Sequence, residues 1–136
     1  MPEPTGLMLR PLAVMMRRDI QSIGPEATLA EAARKMRTSR VGALWVWEGG
    51  SYVGVVTEAD LVRKAMAEGL PPSHEKVRRI MSSPVITIEI DRSAHEASDL
   101  MAEKGVRHLA VSHENQIVGI LSVRDLLRYF KNWGTL

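Results

Sequence analysis

Displaced by 65 residues, the chain matches itself. Positions 16–62 align with 81–127 without a gap, and twelve of those 47 positions are identical. They are Met16/Met81, Ile23/Ile88, Glu31/Glu96, Ala32/Ala97, Met36/Met101, Val41/Val106, Leu44/Leu109, Val46/Val111, Val53/Val118, Gly54/Gly119, Asp60/Asp125 and Leu61/Leu126. A gapless match of this length requires both copies to build the same elements in the same order. The period is longer than that of solenoid repeats and there are only two copies, so the pattern predicts two similar halves related by a pseudo-twofold axis. The 136 residues are enough for a compact body that buries roughly two-thirds of its unfolded surface.

Each half parses as β-α-β-β-α, which predicts an α/β fold of two small sheets backed by helices. A short strand comes first, over Ile20–Ile23 and Val85–Ile88. Thr28 and Ser93 then stand as N-caps, each with a glutamate three residues on (Glu31, Glu96) to complete a capping box. The helices that follow carry apolar stripes at Leu29, Ala32, Ala33 and Met36, and at Ala94, Ala97 and Met101 with Ser98 in the third place. Two β-rich runs around a polar turn come next, ALWVW–EGGS–YVGVV and HLAVS–HENQ–IVGIL. Helices over about 58–68 and 123–131 close the halves. The chain then divides into a lead-in (1–15), a first repeat (16–68), a linker (69–80) with a short helical lead into Met81, a second repeat (81–131) and a tail (132–136).

The closing helices begin with a motif that recurs, V-G-V-V-T-E-A-D at 53–60 and V-G-I-L-S-V-R-D at 118–125. Thr57 with Asp60, and Ser122 with Asp125, have the spacing of a second capping box. Two details point beyond punctuation. Capping boxes prefer the longer Glu or Gln, and both pairs follow a glycine-containing apolar strand, at an edge that offers free backbone N–H groups to an anion. A carboxylate there can accept both hydroxyls of a ribose.

Composition excludes several chemistries. With no cysteine there is no disulfide, thiolate metal site or cysteine nucleophile. The four histidines have no H-x-x-x-H or H-E-x-x-H spacing, which predicts no metal site. No P-loop and no G-x-S-x-G elbow is present, so an enzyme is the weakest reading. A net charge of +2 with few aromatics argues against nucleic acid, although Arg17–Arg18 and Arg78–Arg79 precede the two first strands. No apolar run approaches a membrane span and no signal-peptide order is visible, so the expected address is the cytoplasm.

The two halves resemble a tandem pair of cystathionine β-synthase (CBS) domains, a Bateman module, over about Val14 to Leu127. The doubled G-h-h-[ST]-x-x-D element carries the resemblance. It implies a regulatory module without chemistry of its own, binding AMP, ADP or ATP, or else NAD or S-adenosylmethionine, in clefts between the repeats. It assigns ribose hydroxyls to Asp60 and Asp125, and ribose or phosphate to Thr57 and Ser122. Backbone groups of Ile20–Ser22 and Val85–Thr87 would meet the adenine edge, with Val41 and Val106 against its face. Phosphate falls to Arg107 and His108, which are Gly42 and Ala43 in the first copy, and to Arg124, which is Ala59 there. The two sites are therefore expected to be unequal.

The resemblance also implies a homodimer paired through the closing helices, with Leu61, Ala65, Met66, Leu126, Leu127 and Phe130 as the contact, and an unidentified protein effector. Trp45 and Trp47 share a strand face peculiar to the first repeat and suit core, dimer contact or a wall beside the nucleotide. The rival reading is a protein-interaction scaffold in which the T/S-x-x-D elements only cap helices.

Overall fold

A computed structural model describes residues 12–133. The chain forms two α/β units, each a three-stranded sheet backed by helices. The first unit is Ile20–Val85. It contains β1 (Ser22–Ile23), α1 (Leu29–Ser39), β2 (Ala43–Glu48) and β3 (Ser51–Thr57). Helix α2 follows, α-helical over Glu58–Asp60 and π-helical over Leu61–Met66, and then α3 (Val77–Ile80). The second unit joins residues 12–19 to 86–133. After a 3-10 turn at Leu12–Val14 it contains β4 (Thr87–Glu89), α4 (Ala94–Lys104), β5 (His108–His113), β6 (Gln116–Ser122) and α5 (Val123–Trp133).

The sheets run β1-β2-β3 and β4-β5-β6. In each, the short first strand pairs parallel with the second, and the second and third form an antiparallel hairpin. The hairpin turns take the left-handed conformation at both central residues, Gly49 and Gly50 in one and Glu114 and Asn115 in the other. Such turns match the right-handed twist of the strands, and Gly or Asn is the residue that tolerates them best. The first strands are shorter than the sequence suggests. Ile20 and Gln21 lie outside β1, and Val85 and Ile86 outside β4, although the Gln21 and Ile86 carbonyls still accept from Trp45 N at 2.9 Å and Ala110 N at 3.0 Å.

Local signals at the helix starts hold. Thr28 Oγ1 accepts from Glu31 N and Ser93 Oγ from Glu96 N, both at 3.1 Å, with the glutamates reaching back in turn. Each cap is worth about 1 kcal/mol. The stripes point inward at Leu29, Ala32 and Met36 and at Ala94, Ala97 and Met101, while Ala33 and Ser98 are exposed. Leu44, Val46 and Val56 complete the first core; Leu109, Val111 and Leu121 complete the second. Full burial of such side chains contributes roughly 1.5–3 kcal/mol each.

The contacts close each unit differently from the sequence period. Met81 and Ser82, which open the second repeat in the alignment, pack in the first unit. There Ser82 and Val55 exchange two backbone hydrogen bonds of 2.9 and 3.0 Å. Met16 and Arg17 do the same in the second unit, where Arg17 and Ile120 exchange two of 2.8 Å. This explains the doubled glycine. A Cβ on Gly54 would lie 2.7 Å from Ser82 O, and one on Gly119 would lie 2.6 Å from Met16 Sδ. Glycine is what lets the extra strand approach.

The closing helix α2 departs most from expectation. Bonds from Ala67 N to Val62 O and from Leu70 N to Ala65 O span five residues, so the turn is wider than an α-helix. Ala65 is buried, whereas Met66 is 78% exposed and Val62 57%. In α5, Leu126 is buried and Leu127 is 56% exposed. The expected contact set is corrected accordingly: Ala65 and Leu126 belong to the cores, and Val62 joins Met66 and Leu127 outside. Among the described residues no helix is long and apolar enough to cross a membrane.

Candidate functional site

Both T/S-x-x-D elements cap their helices. In the first unit Asp60 N donates to Thr57 Oγ1 at 3.1 Å while Asp60 Oδ2 accepts from Thr57 N at 2.9 Å. In the second, Asp125 N donates to Ser122 Oγ at 3.1 Å, and Asp125 Oδ2 accepts from Ser122 N at 2.9 Å and Ser122 Oγ at 3.0 Å. Both aspartates are buried, at 8% and 4% exposure. The contrast drawn from sequence between capping and binding was too sharp. Capping uses one carboxylate oxygen, Oδ2, so a second task must fall on Oδ1.

At Oδ1 the two units diverge. Asp60 Oδ1 lies 3.0 Å from Lys64 Nζ, which also donates to Ile80 O at 3.2 Å and Ser82 Oγ at 3.3 Å. Asp125 Oδ1 faces the Arg128 guanidinium at 3.6 Å. The residue equivalent to Lys64 is Tyr129, which is buried in the second core.

The ladder brings the remaining polar residues of the second unit to one edge. His108 on β5 is the register partner of Ser122 on β6. The neighbouring Arg107 accepts at its carbonyl from Val123 N at 3.0 Å, which fixes the backbone at the first turn of α5. Arg107 and Arg124 are exposed and His108 is half-buried. The backbones of Arg107 and His108 thus meet the start of the helix that carries Arg124, Asp125 and Arg128, and cationic side chains so placed suit an anionic group able to take charge-assisted hydrogen bonds.

The same edge of the first unit has Ala43 opposite Thr57 and Gly42 O accepting from Glu58 N at 3.0 Å. Its charge is different. The Glu58 side chain folds back: a Cβ on Gly42 would lie 2.5 Å from Glu58 Oε1. A carboxylate therefore stands where the second unit presents Arg107.

Of the other candidates, Ile20, Ser22, Val41, Val85 and Val106 are half-buried and Thr87 is exposed. Ser22 pairs with Trp45 and Thr87 with Ala110, so each lies beside the second strand of its own sheet. The Ser22 carbonyl is hydrogen-bonded by Lys35 Nζ from α1; position 35 corresponds to Leu100 in the second unit. Sequence reasoning missed Lys35 and Lys64. The signal was present, because displacement by 65 residues sets Lys35 against Leu100 and Lys64 against Tyr129.

Trp45 and Trp47 separate. Trp45 is 1% exposed and its Nε1 is without a hydrogen-bond partner among the described residues. A register shift between Val46 and Trp47 ends the alternation, and Trp47 is 45% exposed, edge-on to Tyr52 at 4.8 Å. Arg78 and Arg79 are engaged with acids. Arg78 bridges Glu26 at 2.8 Å and Glu48 at 2.5 Å, and Arg79 meets Glu75 at 2.7 Å. The hydrogen bond from Arg78 holds the Glu48 carboxyl below the usual carboxylate range. An apolar groove of about 640 Å³ in the first unit, between α1 and α2 and floored by Leu70, Pro71 and Pro72, contains none of the candidate polar residues.

The CBS domain family model matches residues 12–67 and again 77–132. An uncharacterised protein of Methanopyrus kandleri is 39% identical over 114 residues, covering 82% of this chain and 58% of the relative's length. The CBS domain-containing protein YhcV of Bacillus subtilis is 32% identical over 111 residues, 82% of this chain and 79% of its own. The crystal structure of a conserved protein from Pyrococcus horikoshii superposes with a TM-score of 0.85 at 32% identity, covering 95% of this chain and 96% of that one. The chain belongs to the CBS-domain family and carries two CBS domains in tandem.

Proposed function

We propose that the chain is a non-catalytic regulatory module, cytoplasmic and homodimeric, that binds an adenosine-containing nucleotide of the AMP, ADP or ATP class. NAD and S-adenosylmethionine are the alternative ligands. The observation that carries this reading is the edge of the second unit. Asp125 is buried and caps α5 through Oδ2 at Ser122, whose register partner is His108, while Arg107 and Arg124 adjoin His108 and Asp125 in the chain. A ribose suits Oδ1 and a phosphate suits the arginines. Half-buried Val106 would meet the adenine face, with Val85–Thr87 at its edge. Thr57, Asp60, Val41 and Ile20–Ser22 are the corresponding group of the first repeat. Ligand would act by binding one arrangement of the module better than another, and so bias what it presents to a protein effector.

A thermal-shift screen of AMP, ADP, ATP, NAD and S-adenosylmethionine tests this. A true ligand at one hundred times its dissociation constant adds about 2.7 kcal/mol of stability. A flat response to all five would favour the second reading, a scaffold, for which the complete capping boxes at Thr57 and Ser122 speak.

Pairing through the helices is supported by exposed Val62, Met66 and Leu127. Light scattering is expected to give twice the 15.1 kDa chain mass. A mass of one chain across a wide concentration range would remove the dimer from the proposal.

A further inference from the structure

In the first unit, three places that a nucleotide would claim are already taken by the chain itself. The Ser22 carbonyl is bonded to Lys35, Asp60 Oδ1 to Lys64, and the space above Gly42 is covered by Glu58. The equivalents in the second unit are Leu100, Tyr129, Arg107 and Val123. Leu100, Arg107 and Val123 do not repeat the arrangement, and Asp125 Oδ1 has the longer contact with Arg128, at 3.6 Å against 3.0 Å for Lys64 on Asp60. We infer that Lys35, Glu58 and Lys64 close the first repeat to phosphorylated nucleotides, so that the chain takes one per copy, on the second repeat. The inference rests on the proposed nucleotide-binding function and adds which repeat is used and what excludes the other.

The chemistry supports closure from two directions. The Asp60–Lys64 pair alone would be weak, since half of the lysine side chain is exposed. The ammonium, however, has three donors and three acceptors around it: Asp60 Oδ1, Ile80 O and Ser82 Oγ. A ribose hydroxyl would have to break into a satisfied set. Ser82 is also held by its two bonds to Val55, so the lysine's partners cannot swing aside without opening that bridge. From the other direction, Glu58 sets a negative charge where a phosphate would stand, and like charges at close quarters oppose binding.

Titration calorimetry with AMP on the full chain is the test. The expected result is one nucleotide per chain in the wild type. A variant with the second unit's residues at all four places, Lys35→Leu, Gly42→Arg, Glu58→Val and Lys64→Tyr, is expected to take two. Removing Glu58 clears the space that an arginine at 42 needs, so these changes are compatible. Two equivalent nucleotides in the wild type would overturn the inference while leaving the nucleotide-binding reading intact. A variant that folds by circular dichroism yet still takes one would overturn the role of these side chains. No heat with AMP, ADP or ATP in the wild type would remove the parent reading and this one with it. If the variant fails to fold, the wild-type stoichiometry still decides.

Discussion

Asp125→Asn is expected to lower nucleotide affinity at least tenfold and to leave the unliganded protein folded. The two oxygens of this carboxylate have separable tasks. Oδ2 accepts from Ser122 N and Ser122 Oγ and caps α5. Asparagine retains one carbonyl oxygen for that task, and it is itself a good residue at helix starts. The loss of charge near the helix N-terminus costs a few tenths to about 1 kcal/mol. The Oδ1 position, which faces Arg128 at 3.6 Å, fares worse. There an NH₂ group would meet a ribose hydroxyl that needs an acceptor, and a buried mismatched polar group costs about 1–3 kcal/mol. Titration calorimetry read beside urea denaturation separates the effects. Unchanged affinity together with a small loss of stability would leave Asp125 as a cap alone.

Arg107→Ala is expected to weaken AMP by about ten- to a hundredfold and to leave adenosine nearly untouched, as a charge-assisted hydrogen bond of roughly 1.5–3 kcal/mol implies. The selectivity follows from how the residue is used. Its backbone carbonyl accepts from Val123 N and serves the fold, and alanine retains that carbonyl. Its side chain is exposed, so truncation opens no cavity. The effect therefore reports charge rather than packing. Equal losses for AMP and adenosine would show that Arg107 supports the fold, and equal retention of both would take it out of the phosphate site.

Much of this architecture was legible because its determinants are local or repeated. Thr28, Ser93 and their glutamates announce helix starts by chemistry that acts within four residues, and the hairpins announce themselves by polar turns between alternating strands. The repeat did the rest, since what is found in one copy can be looked for in the other. The same habit hid what matters at the first site. Lys35, Glu58 and Lys64 are places where the copies disagree, and a comparison built on identities passes over them. The π-helical course of α2 has no local signature, since Leu61–Met66 contains neither glycine nor proline to mark a change of turn. The docking of Met81 and Ser82 beside Gly54 is likewise a tertiary matter. The sequence marks Gly54 as unusual, but only the position of the Ser82 carbonyl says why.

The placement of residues 12–19 has a bearing on how the protein is made. The first unit is a single uninterrupted stretch and can acquire all its contacts once Val85 has left the ribosome. The second unit's core includes Leu12 and Met16 together with Ile88, Leu109 and Leu126, so its earliest and latest members are separated by most of the chain. Contacts that close such long loops form late and slowly. During synthesis, therefore, the opening turn is a waiting partner whose apolar side chains stay in water until the second sheet exists to receive them.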